Sequence, residues 1–107
     1  MLAEVNRVVE VKPITLDGHQ VISISVQLPK TNLLVVTTDR GYIMCGALDV
    51  SLLNERLRDR NIIAGRALGV KTIEQLLEAP LQSVTKTAED LGIIPGMTGK
   101  EAILKMI

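Results

Sequence analysis

The chain predicts an α+β fold: a two-layer sandwich whose largely antiparallel sheet carries helices packed on one face. Three observations carry this expectation. The first half is rich in β-branched residues and punctuated by hairpin signals. The second half changes to helical spacing. Strands therefore come first and helices afterwards, an order that places helices against an antiparallel sheet rather than between parallel strands.

The elements follow in order. Val5, Val8, Val9, Val11, Ile14 and Thr15 make residues 4–16 a strand, and Pro13 sends it to an edge or a bulge. Asp17-Gly18 is a strong hairpin signal. On the return strand Ile22, Ile24, Val26 and Leu28 alternate with Ser23, Ser25 and Gln27, a period of two that gives the sheet one wet, polar face. Pro29–Asn32 reads as a loop, and Leu33–Thr38 as a more buried central strand. Asp39-Arg40-Gly41 turns the chain into Tyr42–Cys45, which completes a meander of about four strands.

From Asp49 the apolar residues fall at Val50, Leu53 and Leu57, with Asp49 at the start of a helix, Arg58 and Arg60 at its end and Asn61 as a left-handed stop. Ile62-Ile63-Ala64 returns as a strand ending at Gly65. Thr72 caps a short helix through Glu78. Pro80 fits the first turn of another through Leu91, with Gly92 just past its end. Thr98-Gly99-Lys100-Glu101 has capping-box spacing and opens a last helix.

Composition bounds the function. At 107 residues the chain fits one domain, residues 1–107. Twelve basic and twelve acidic residues cancel, which argues against a dedicated nucleic-acid binder. One Tyr, no Phe and no Trp leave no stacking platform for bases or sugars. No apolar run approaches a membrane span, no signal peptide is evident, and the one cysteine makes no internal disulfide, so a reducing, cytoplasmic setting is expected. One Cys and one His fall short of a zinc site, and no metal or cofactor is expected. Near-zero net charge with much aliphatic surface points to a homo-oligomer.

Two segments carry candidate chemistry. Gly41–Asp49 holds both the only cysteine and the only tyrosine, and it runs from a strand through Gly46 towards a helix. A thiol near a helix start can ionise readily, which makes Cys45 a candidate nucleophile with Tyr42, Arg66 and His19 as helpers and Gly46 and Ala47 as amide donors. The plainer reading is a buried cysteine at a strand end. Gly65–Thr72 places two glycines, Arg66 and Lys71 ahead of a helix, a pattern that suits a carboxylate, phosphate or nucleotide; it equally suits a flexible connection with surface cations. Ligand-binding candidates are thus Gly46, Tyr42, Asp49, Arg66 and Lys71. Gly96–Glu101 fails as a phosphate loop, because Ile94 and Glu101 stand where the motif needs Gly and Ser or Thr.

Four blocks in this order and spacing resemble the YunC-like family of small bacterial and archaeal proteins, a domain of unknown function. They are Leu28–Asn32, Gly41–Asp49, Ala64–Thr72, and Ala88–Ile93 with Gly96-Met97. The resemblance runs from Val11 to Ile107, and the Gly41–Asp49 block is its most specific part. It implies a two-layer α/β sandwich. It implies no activity, so no catalytic residue is carried over. The first ten residues lie outside the blocks and read as an extra strand or a loose arm.

No complete catalytic constellation stands in the sequence. The expected function is a cytoplasmic, homo-oligomeric binding or regulatory module without catalysis, with a small anionic ligand and without nucleic-acid or membrane partners. The alternatives are a thiol enzyme built on Cys45 and a phosphate or nucleotide binder at Gly65–Thr72.

Overall fold

In the computed structural model, which describes residues 9–107, six strands form one sheet in the order in which they occur along the chain. The strand expected from residue 4, like the arm expected over residues 1–10, lies outside the described residues up to position 8. Strands β1 (Val9–Leu16), β2 (His19–Leu28), β3 (Thr31–Thr37) and β4 (Gly41–Met44) are a meander of antiparallel neighbours. β5 (Ile63–Arg66) runs parallel to β4, and the two-residue β6 (Ser83–Val84) returns antiparallel. Helices α1 (Val50–Glu55), α2 (Ile73–Glu78), α3 (Lys86–Asp90) and α4 (Gly99–Leu104) complete the α+β fold.

The local chemistry explains the turns. Asp17 and Gly18 both have positive φ, +49° and +85°, as a tight hairpin with the right-handed strand twist requires. The expected loop at Pro29–Asn32 is tighter than expected: Leu28 pairs with Thr31, so Pro29-Lys30 alone make the turn, with Lys30 at φ +61°. Thr98 and Glu101 form the capping box, the threonine hydroxyl accepting from Glu101 N at 3.2 Å and Glu101 Oε1 accepting from Thr98 N at 3.1 Å.

Three elements depart from expectation. α1 stops at Glu55, and Arg58–Arg60 form a separate 3₁₀ turn before Asn61, which takes the left-handed conformation at φ +51°. The helix expected from Pro80 is replaced by an extended segment and a shorter helix. Ala79, which precedes a proline, is extended. Leu81 N then donates to Met97 O, Gln82 N to Arg66 O, and only Thr85 caps a helix. Leu81 and Val84 are three residues apart, a spacing that fits one helix face, yet both are buried from an extended chain against the β5 edge.

The third departure concerns the faces of the sheet. Ile43 faces α2 and α4 across a core that includes Leu34, Val36, Leu76, Ile93, Ile103 and Met106. α1 packs on the opposite side, where Leu48, Val50 and Leu53 meet Ala64 with Tyr42 beside them. Most of the helical layer thus lies on one face, as expected, and α1 is the exception, because it is the crossover between the parallel strands β4 and β5. The serines of β2 also face the helical layer. Val21 and Ser23 are buried, whereas Ile22 is exposed. The polar side of β2, expected to be the wet face, looks inwards, and the aliphatic side looks away from the helices over β1–β3.

Candidate functional site

The parallel pairing of β4 and β5 brings the two candidate segments together. In open sheets, the crevice outside the carboxyl ends of parallel strands is the usual ligand position. Here Ala67 N donates to Met44 O at 3.0 Å, so the turn after Cys45 and the loop after Arg66 leave the sheet side by side. A methyl group added at Gly46 would meet Leu68 Cδ2 at 3.2 Å.

Cys45 is 6% exposed. Its backbone N–H extends the β3–β4 ladder to Leu34 O at 3.1 Å, and its carbonyl accepts from Leu48 N at 3.1 Å. The thiol is bracketed by β3: Leu34 N donates to Sγ at 3.5 Å, and Sγ donates to Asn32 O at 3.7 Å. Gly46 and Ala47 form the turn towards Leu48 and precede α1, whose cap is Asp49. The Asp49 carboxylate accepts from Leu52 N at 3.0 Å and so already satisfies a first-turn amide.

The expected helpers fall elsewhere. Successive side chains alternate across the sheet, so Cys45 and Ile43 lie on the α2–α4 side while Tyr42 lies on the α1 side. Burial beside α1 raises the Tyr42 phenol above its usual range. Arg66 pairs in register with Met44 and shares the Tyr42 side; its Nε is buried and has no hydrogen-bond partner among the described residues. His19 opens β2, six residues along from Ser25, which pairs with Leu34. At about 3.3 Å per residue that separation is roughly 20 Å. The structure therefore groups Tyr42 with Arg66 and leaves the thiol on the other face.

Lys71 sits apart again. Its backbone N–H donates to Gln75 Oε1 at 2.7 Å, and Gln75 N donates to Thr72 Oγ1 at 3.1 Å, so two of the amides around the start of α2 are already taken. Its side chain borders a polar cleft of about 270 Å³ between β1–β3 and α2, into which Ser23, Ser25, Gln27 and Asn32 also point. Sequence reasoning missed this cleft. The signal for it in the sequence is the serine row of β2, whose alternation shows a polar face but not that this face meets α2. Among the described residues no group of three or more His, Cys, Asp or Glu side chains is placed to hold a metal ion, and no helix is long and apolar enough to cross a membrane.

A six-stranded mixed sheet with short helices and one parallel crossover defines a small α+β sandwich. The family described as "Domain of unknown function (DUF1805)" matches residues 44–106, more than half of the chain, and the chain belongs to it. It is 61% identical over 99 residues to "Uncharacterized protein YunC" of Bacillus subtilis (strain 168), across 92% of this chain and 98% of that protein. A crystal structure of "a Protein of Unknown Function TA1206 from Thermoplasma acidophilum" superposes with a TM-score of 0.83 at 28% identity, covering 92% of this chain and 93% of that one.

Proposed function

We propose that the protein is a small cytoplasmic binding module, without catalytic activity of its own, that works as a homo-oligomer. The observation that carries this reading is the aliphatic side of β1–β3, which no described helix covers. Val9 is 51% exposed and Val11 60% exposed on that side. The largest contiguous exposed apolar patch on a protein surface is often an interaction site. The neutral charge balance does nothing to keep copies apart.

The thiol-enzyme alternative has less support. Cys45 is buried and bracketed by Leu34 and Asn32, with Tyr42 and Arg66 on the other face of the sheet. A small polar ligand in the cleft beside Lys71 is compatible with the module reading. Lys12 and Lys71 line it together with Glu10 and Glu74, so it suits a ligand of mixed charge better than a bare anion.

Sedimentation velocity over the micromolar range tests the proposal. Assembly that strengthens with concentration supports it. A chain that remains monomeric throughout that range overturns it.

A further inference from the structure

We propose that the side of β1–β3 left uncovered among the described residues is the interface with a second copy of this chain, the two sheets stacking face to face across a twofold axis. This rests on the homo-oligomer reading above and names its surface.

The ladder registers put three rows on this side: Val9–Val26–Leu33, Val11–Ile24–Val35 and Pro13–Ile22–Thr37. No charged side chain occupies an outward position of these strands. That absence matters for the choice of partner. A twofold contact sets a patch against itself, so any charge near the axis would meet its own like charge. An uncharged aliphatic face is self-complementary in a way that a charged one is not.

The same residues argue for the face over the edge. β1 is an edge strand, and Pro13 within it removes a backbone donor. Lys12 and Glu10, an ion pair at 3.3 Å, place charges along the same strand on its inward side. β6, at the other edge, is only two residues long. Among the described residues neither edge offers a long free ladder, whereas the face offers an uncharged, mostly apolar surface.

The size suits a modest dimer. Strands of 8, 10 and 7 residues, at about 3.3 Å per residue and about 4.8 Å apart, present roughly 400 Å² of footprint per copy, and more of accessible surface, which places the contact at the low end of specific interfaces.

The test compares the wild-type chain with Val11→Lys, Ile24→Lys and, as a control, Ile94→Lys by sedimentation velocity, with circular dichroism to check folding. Ile94 is 54% exposed in the loop after α3, away from the three strands. Val11 is so exposed on an edge strand that a lysine there leaves the fold intact even if Ile24→Lys does not. The expected result is a wild-type dimer whose dissociation constant rises by at least about tenfold in Val11→Lys, since each copy then buries a charge against its twin, and stays unchanged in Ile94→Lys. A wild-type dimer that Val11→Lys leaves intact overturns the face-to-face interface but not the oligomer reading. A monomeric wild-type chain overturns both, and leaves the face to a different protein or to another part of the same chain.

Discussion

Thr85 and Ala64 exchange two hydrogen bonds, one through the backbone and one through the threonine hydroxyl. Thr85 N donates to Ala64 O at 2.9 Å, and Ala64 N donates to Thr85 Oγ1 at 3.2 Å. The same oxygen donates to Ile62 O at 2.7 Å and accepts from Ala88 N at 3.3 Å. One buried hydroxyl thereby finishes the edge of β5 and caps α3. Replacing it with the isosteric Thr85→Val leaves two buried N–H groups and a carbonyl short of a partner. The expected loss is about 1–3 kcal/mol, read from urea unfolding midpoints. A midpoint equal to wild type would show that the hydroxyl is dispensable.

A second test concerns the packing of α2 against α4. Gly99, in the first turn of α4, touches the carbonyl of Leu76 so closely that an added Cβ would overlap it and crowd Ile43 Cδ1 at 2.7 Å. Gly99→Ala would raise helix propensity on an exposed helix. Here the helices must separate instead, at an expected cost of about 1–3 kcal/mol in thermal or denaturant unfolding.

For the thiol, slow alkylation is expected. With Cys45 buried and held against β3, iodoacetamide should modify it slowly in the folded protein and rapidly in concentrated urea. Rapid reaction of the folded chain at neutral pH would restore the case for a catalytic cysteine.

The pH dependence of stability should show Glu101. Hydrogen bonds from the Thr98 backbone and hydroxyl, with a smaller contribution from Lys105, hold its carboxyl below the usual 4.5. A folded-state value below the unfolded one gives stability that is present above the unfolded value and is lost as pH falls through the folded one. The difference between wild type and Glu101→Gln should therefore be largest near neutrality and shrink on acidification below 4.5. A difference that is flat with pH would mean that the Glu101 carboxyl titrates alike in the folded and unfolded chain, against the depression by the Thr98 hydrogen bonds.

Tyr42 can be followed without interference, as the chain has no tryptophan and no second tyrosine. Burial raises its phenol above the ordinary 10.0. The folded state thus favours the neutral phenol, and stability should decline as pH climbs past that value. An ultraviolet phenolate titration of the folded protein with a midpoint at or below 10.0 would contradict the burial beside α1.

Much of this architecture is legible locally. Asp17-Gly18 announces the first hairpin, and Thr72, Thr98 and Glu101 announce two helix starts, because caps and tight turns are satisfied within a few residues. What sequence hides is set at a distance. Alternation along β2 reveals two faces but not which one meets the helices, and the apolar one is the outer one. The period of Leu81 and Val84 suits a helix until the β5 edge and the Gly96–Thr98 turn claim their backbone. The candidate site shows the same division. The Gly41–Asp49 and Gly65–Thr72 segments do meet, through the parallel pair, but side-chain alternation separates Cys45 from Tyr42 and Arg66. Neither relation is visible before the strands are paired.

The sheet order carries a consequence for how the chain is built. Every strand lies next to the one that precedes it, so each can dock as soon as it is synthesised, on a template that is already in place. Such sequential pairing keeps loop closures short and favours quick, vectorial folding. The long-range clasp of Thr38 Oγ1 on the Met106 carbonyl, at 3.1 Å, joins positions 68 apart and can form only at the end. Until α2 and α4 are made, the inner side of the nascent sheet is bare, and the polar Ser23–Ser25–Gln27 row makes part of that waiting surface wettable.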